Sequence, residues 1–321
     1  MGSDSLRILY AGNPLLSVAT LEAITEKHQV VGVLVHPDKR AKRGSASVPV
    51  PVKASAVRLG IPVVESDTIT SVTIEEVRSL GADVLLSFAT SHYFTQSFLS
   101  LFPRGAINIH PSLLPLHRGP SPIQYSILKK DQVSGISLQK IVKKIDSGDV
   151  VNSLSFALSG DETSETLSQT VSTLAAQLTL QTLARYDHYY SHACAQEHDN
   201  ATFTRKLTKE DGAIDFTRKA SDIHAMIRAL YPWPKAYTYF NGVQLILSRV
   251  QGTLDSVDDE KVHEAAPGTV LEFVKGRGLA IACSKGTLYV DRLQLSKKKE
   301  MDARSFVNGN PGILGARLMG A

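Results

Sequence analysis

The chain has 321 residues, 43% of them hydrophobic and 21% charged, with a formal net charge of +4. That length suits two domains better than one, and that balance fits neither a disordered nor a membrane-embedded chain. The weak positive charge does not by itself imply a polyanionic partner, and two cysteines, Cys194 and Cys283, cannot build a disulfide framework.

From the start the chain runs almost directly into a strand-like stretch, "LRILYAG". No charged leader with an apolar run precedes it, so a cytoplasmic protein is expected, the alternative being an organellar one numbered without its transit peptide. "LLSVATLEAITEKH" has helical spacing, "VVGVLVH" reads as a strand, and "PVKASAVRLG" as a helix with a glycine stop. "IPVVE", "TIEEVRSLG", "ADVLLSFA" and "GAINIH" continue the alternation of strand and helix. Strands apolar throughout predict a parallel sheet with helices on both faces, an α/β Rossmann-like arrangement. "GISLQKIV" alternates more, as a strand wetted on one side would, and "KKIDSGDVV" turns into a further strand. The helical stretch "ETLSQTVSTLAAQLTLQTLARY" closes this half, and the following segment, without periodicity, reads as a linker.

The second half is mostly β after the helical "ASDIHAMIRAL". "KAYTYFNGVQLILSRV" predicts a hairpin around Asn-Gly, and "GTVLEFVKGRGLAIACSKGTLYVDRLQL" three or four short strands. A small Greek-key barrel is expected. The division drawn from this pattern is a Rossmann-like α/β domain at 1–189, a linker at 190–206 and a barrel domain at 207–321.

The turn after the first strand, "AGNPLLS", lacks the GxGxxG fingerprint, and no GxxxxGK[ST] loop occurs, which argues against dinucleotide and P-loop chemistry. The polar residues ending "GAINIH" say more. In an extended strand Asn108 and His110 point to the same side, at the carboxyl end where α/β sheets bind ligands. Asn supplies a neutral donor for a developing oxyanion, and His titrates near neutrality. A carboxylate to orient the imidazole is offered by Asp146 or Asp149, and spacing does not choose between them. His188, His192, Cys194 and His198 have metal-like spacings, but in a linker-like segment without carboxylate support no metal site is expected.

"NIHPSLLPLHRGPSPI", followed by "IDSGD", resembles the 10-formyltetrahydrofolate-dependent formyltransferases. "LRILYAGNP", "TFTRKLTKEDGAIDF", "IRALYPWPKAYTYF" and "APGTVLEF" extend the resemblance over nearly the whole chain, toward the branch acting on methionyl initiator tRNA. The resemblance implies a Rossmann-like formyltransferase domain followed by a small C-terminal barrel like an oligonucleotide-binding (OB) fold. It also implies a catalytic trio of Asn108, His110 and Asp146, the first aspartate of the turn. Phe88, Ser112, Leu113, Leu114, Pro115 and Asp149 would line the folate site of the formyl donor, 10-formyltetrahydrofolate. The basic loop with Lys39, Arg40, Lys42 and Arg43 would meet the tRNA acceptor end, with Lys206 as a further phosphate contact. A monomer needing no metal and no membrane is implied. Pro111 stands where the family usually has Gly, His117 where it has an aromatic residue, and "SFATSHYFT" where it reads Ala-Tyr-Gly; these departures bear on folate contacts. The rival readings are a formyltransferase for an amino sugar nucleotide and a catalytically silent folate- or RNA-binding relative.

Overall fold

The computed structural model describes residues 5–38, 49–254 and 265–319. Its first half follows the predicted alternation: β1 (Arg7–Gly12), α1 (Val18–Thr25), β2 (Gln29–Val35), α2 (Pro51–Arg58), β3 (Val63–Glu65), α3 (Ser71–Leu80) and β4 (Val84–Phe88). Next come α4 (Gln96–Leu99), β5 (Ala106–His110), α5 (Pro122–Leu128), β6 (Val133–Lys140), β7 (Val150–Ala157), α6 (Ser164–Leu183) and α7 (Tyr186–Ser191). Local chemistry sets the helix ends. The Thr70 side chain accepts from Thr73 N at the start of α3, and Gly81, in the left-handed region at φ 59°, stops it.

The strands form one seven-stranded sheet in the order β3-β2-β1-β4-β5-β6-β7. The predicted parallel sheet is found, and two antiparallel strands extend it. β1 to β5 are parallel, but β6 runs antiparallel to β5, and β7 antiparallel to β6. β6 is also not the half-wetted strand its alternation predicts: six of its residues in a row are buried, because β7 takes the edge and itself alternates. The order reverses between β1 and β4, and β5 lies directly beside β4. The carboxyl end of β5 therefore opens next to the crevice where such sheets take ligands. One face packs Leu9, Leu34, Val77, Leu85, Phe98 and Phe102 into an apolar cluster.

The second half contains α8 (Ala220–Ala229), β8 (Ala236–Phe240), β9 (Val243–Leu254), β10 (Val270–Val274), β11 (Gly278–Ala282), β12 (Thr287–Leu295), β13 (Met301–Asp302) and α9 (Ala303–Gly309). β8 and β9 make the predicted hairpin: Phe240 pairs with Val243 around Asn241 and Gly242, at φ 48° and 75°. The antiparallel sheet has the order β10-β11-β12-β9-β8, with β13 beside β12. The C-terminal tail bridges both outer strands, Arg317 pairing with Thr269 and Met319 with Tyr239. A core of Ile223, Leu247, Leu279, Ile281, Val290 and Phe306 fills this sheet.

Contacts divide the chain into two units that are not contiguous in sequence. The first holds residues 1–122, 133–157 and 168–204; the second holds 123–132, 158–167 and 205–321. Residues 190–204, read from sequence as part of a linker, belong to the first unit, while α5 residues Tyr125 and Leu128 pack on the core of the second.

Candidate active site

β5 carries the opening pair. In parallel register Asn108 faces Ser87 on β4, and in antiparallel register it faces Gln139 on β6; one step on, His110 faces Ser137. Registered residues share a sheet face, so one polar row crosses β4, β5 and β6, and a second, His110 with Ser137, joins β5 and β6. Ser87 Oγ donates to Asn108 Oδ1 at 2.8 Å, which holds the amide with its Nδ2 donor on the side away from Ser87.

His110 is buried, and both its ring nitrogens face oxygen. Nε2 donates to the His117 carbonyl at 2.9 Å, and Nδ1 lies 3.6 Å from Asp146 Oδ1. Asp146 sits in the turn between β6 and β7 in the left-handed region, at φ 53°. Its Oδ1 accepts from Gln139 Nε2 and its Oδ2 from Gly119 N, each at 2.8 Å. Asp149 goes elsewhere: its carboxylate lies 3.5 Å from Lys140 Nζ. Geometry thus separates the two aspartates that spacing leaves equal.

Each motif glycine has a steric reason. A Cβ on Gly148 would collide with the Lys140 carbonyl, so the turn after Asp146 closes only around a bare Cα. Gly119 has φ 105°, and a Cβ there would lie 2.6 Å from Thr204 O, while its N–H serves Asp146.

The loop after His110 is closely held. Ser112 N bonds His110 O at 2.9 Å, turning the chain at Pro111. Ser112 Oγ donates to Leu116 O at 2.6 Å, Ser137 Oγ to Ser112 O at 2.8 Å, and Leu114 N to Ser137 Oγ at 3.0 Å. Leu113 packs over Gly135, and the Leu114–Pro115 peptide is cis. Phe88 is 0% exposed, so its side chain offers no surface to a ligand. Farther along that stretch, buried His92 stacks on His36 with ring centroids 4.0 Å apart, and its burial lowers its pKa from the ordinary imidazole value.

Four partners go unmarked as site residues in the sequence. Ser87 and Gln139 leave one sign there, a polar residue inside an apolar strand. Arg118 stands in the Arg-Gly motif and is 1% exposed. Gln196 gives no sign: it lies in the segment without periodicity, yet its Nε2 donates to Gly148 O at 2.6 Å and to Asp146 O at 3.1 Å. Its Oε1 accepts a fork from Arg118, Nε at 3.1 Å and Nη2 at 2.6 Å. The same Nη2 reaches His198 Nδ1 at 2.8 Å. His188 in α7 and His192 just after it have tilted rings with centroids 4.6 Å apart, and Cys194 pairs through its backbone with Val150. Lys39, Arg40, Lys42 and Arg43 lie outside the described residues; Lys206 is exposed in the second unit.

The arrangement presents an amide donor and an imidazole backed by a carboxylate, side by side at the end of one strand. Such a set stabilises negative charge on a carbonyl oxygen and handles a proton.

Comparison with known proteins agrees with this chemistry. The family described as formyl transferase matches residues 6–183, and formyl transferase, C-terminal domain, matches residues 206–311. The methionyl-tRNA formyltransferase of Roseiflexus sp. (strain RS-1) is 36% identical over 95% of this chain and 92% of its own length. That of Borrelia hermsii is 33% identical over 97% and 99%. Among solved structures, the N-formyltransferase of Helicobacter canadensis, in complex with folinic acid and dTDP-3-aminofucose, shares the fold. Its TM-score is 0.66 at 18% identity, over 92% of this chain and 100% of that one. HypX from Aquifex aeolicus with tetrahydrofolic acid gives 0.63 at 16% identity; the match covers 95% of this chain but 47% of HypX. Methionyl-tRNA formyltransferase from Clostridium thermocellum gives 0.55 at 17% identity over 77% and 93%.

Proposed function

Since this chain belongs to the formyl transferase family, alongside the methionyl-tRNA formyltransferases it matches over nearly its full length, we propose that it formylates the α-amino group of methionine on initiator tRNA, with 10-formyltetrahydrofolate as donor. The observation that carries the mechanism is the placement of His110 between the His117 carbonyl and Asp146, one strand step from Asn108.

The α-amine attacks in its neutral form; such groups titrate near 8, so a useful fraction is unprotonated at neutral pH. Attack on the formyl carbon leaves an oxyanion. The Asn108 amide, held by Ser87, donates to it, and the His110 Nε2–H exchanges the His117 carbonyl for it. Asp146 stays on Nδ1 and fixes the ring, which gives a proton to the donor nitrogen as its bond to the formyl carbon breaks and takes one from the attacking nitrogen, so that protons balance over the transfer. Ser112, Leu113, Leu114 and Pro115 form the wall of the donor pocket through the backbone their hydrogen bonds hold. Asp149 adds a carboxylate at its rim, and Phe88 serves as packing beneath it. Lys39, Arg40, Lys42, Arg43 and Lys206 take phosphates of the acceptor arm. On this reading the protein acts as a monomer in the cytoplasm, or in an organelle.

The test offers labelled 10-formyltetrahydrofolate with methionyl initiator tRNA, or with an amino sugar nucleotide. Formylation of the tRNA alone, reduced about 10²–10⁴-fold by His110→Ala, is expected. Label on the sugar alone would overturn the acceptor and leave the trio standing.

A further inference from the structure

We infer that Gln196 and Arg118 form a positioning clamp for Asp146, so that the transfer step depends on a side chain that touches neither substrate. The inference rests on the formyl-transfer reading above for its kinetic consequence, and on geometry alone for its structural one.

Arg118 is the largest fully buried side chain of the described residues. A buried guanidinium is costly unless its N–H groups are met, and a neutral amide oxygen, Gln196 Oε1, takes two of them as a fork. The amide must therefore point its Nε2 the other way, and there it donates to the carbonyls of Asp146 and Gly148. One side chain so ties a buried cation to both ends of the turn that presents the carboxylate to His110.

That turn needs holding. Asp146 has a left-handed backbone, which is strained for a non-glycine residue and persists only where its surroundings enforce it. Arg118 acts a second time through its neighbour, because Gly119 N is the donor to Asp146 Oδ2. Thr204 N bonds Arg118 O at 2.7 Å, and Arg118 N bonds Thr202 O at 2.9 Å, so the segment carrying Gln196 also fixes the backbone of the residue its side chain holds. Clamp and strap together set the 3.6 Å spacing between Asp146 Oδ1 and His110 Nδ1.

The chemistry requires glutamine in particular. Its side chain must accept from Arg118 and donate to two carbonyls; glutamate would accept only and would set a carboxylate against both carbonyl oxygens. Gln196→Glu separates a structural role from a positioning one. It keeps a partner for Arg118, now charge-assisted, so the melting temperature should not fall. It should also displace Asp146, lowering kcat about 10–100-fold with KM for donor and tRNA unchanged within twofold.

The His110 ring ¹⁵N signals, which need no substrate, should move in Gln196→Glu and stay in the control Asn200→Ala. Wild-type kcat with unmoved ring signals, or a raised KM at wild-type kcat, would overturn the clamp. If Gln196→Glu does not fold, the double variant Arg118→Met/Gln196→Met removes cation and partner together and should show the same kcat loss. Should the wild-type protein leave methionyl-tRNA unformylated, the functional reading falls, and the ring signals still decide the clamp.

Discussion

Gly148 shows how far a single Cβ can reach. It follows Asp146 by two residues, lies against the Lys140 carbonyl, and gives its own carbonyl to Gln196. Gly148→Ala must push the turn off β6, carrying the Asp146 carboxylate away from His110. Displacement of a catalytic group by about 1 Å can cost about 10²-fold. We therefore expect kcat to fall at least tenfold in Gly148→Ala, as measured by formyl transfer, while Gly160→Ala serves as the contrast. Gly160 has open space around its Cα, so its left-handed backbone affects stability alone. At this scale the motif letters translate into sterics: Gly119 and Gly148 are there because the backbone comes too close for anything else.

Among the elements, the segments between regular structure hold the site. The strap at 194–204 bonds the loop at 115–121 through Thr202 and Thr204 and carries Gln196 inward. The following turn, Arg205 to Ala213, is pinned by Asp211, which accepts from Arg205 Nη1 at 2.8 Å and from Thr208 N at 2.7 Å. The Arg205 hydrogen bond, with smaller help from Thr208, pulls the Asp211 carboxyl from 3.8 to about 2. Because the folded state binds this proton more weakly than the unfolded state, the carboxylate contributes stability above about pH 4. That contribution is lost as pH falls through about 2. The stability gap between wild type and Asp211→Asn, followed by denaturant titration, should be constant above pH 4 and shrink toward zero below it.

The two units of the whole molecule do not follow the order of the chain. Tyr125 and Leu128 on α5 pack against the second unit's core, and Ser164 Oγ bonds Ala229 O, although both pieces precede residue 205. A fragment starting at residue 205 would lack them and bare Leu207, Met226 and Leu230, which line one cavity with Tyr125 and Leu128. The loss is on the order of a few kcal/mol of apolar burial, a large part of a typical domain stability of about 5–15 kcal/mol. The fragment should therefore bind a hydrophobic dye and melt lower than the same unit in the intact protein. The proposed tRNA contacts, five cations on phosphates, predict a log–log slope of affinity on salt of roughly −3 to −5. Lys206→Ala should reduce that slope by about one in filter binding.

The run of elements is legible in the order of the amino acids, because helical spacing, apolar strands and glycine stops are local properties. That order also determined the β8–β9 hairpin, since Asn241-Gly242 permits two positive φ values in succession. It determined that Asn108 and His110 share a side, since strand alternation needs no partner. What it could not express was pairing between distant segments. The direction of β6 was not legible, because alternation of side chains is the same in a parallel and an antiparallel strand. Spacing left Asp146 and Asp149 equal and only the family motif favoured Asp146; the fold supplies the physical reason, because the two lie in one turn and their contacts differ through β6 and Gly119. Only the tertiary structure decided that Gln196 is buried beside Arg118, 78 residues away, in a stretch with no period to read. A buried cation finds its acceptor by position in space, and hydrophobic patterning along the chain carries no record of that position.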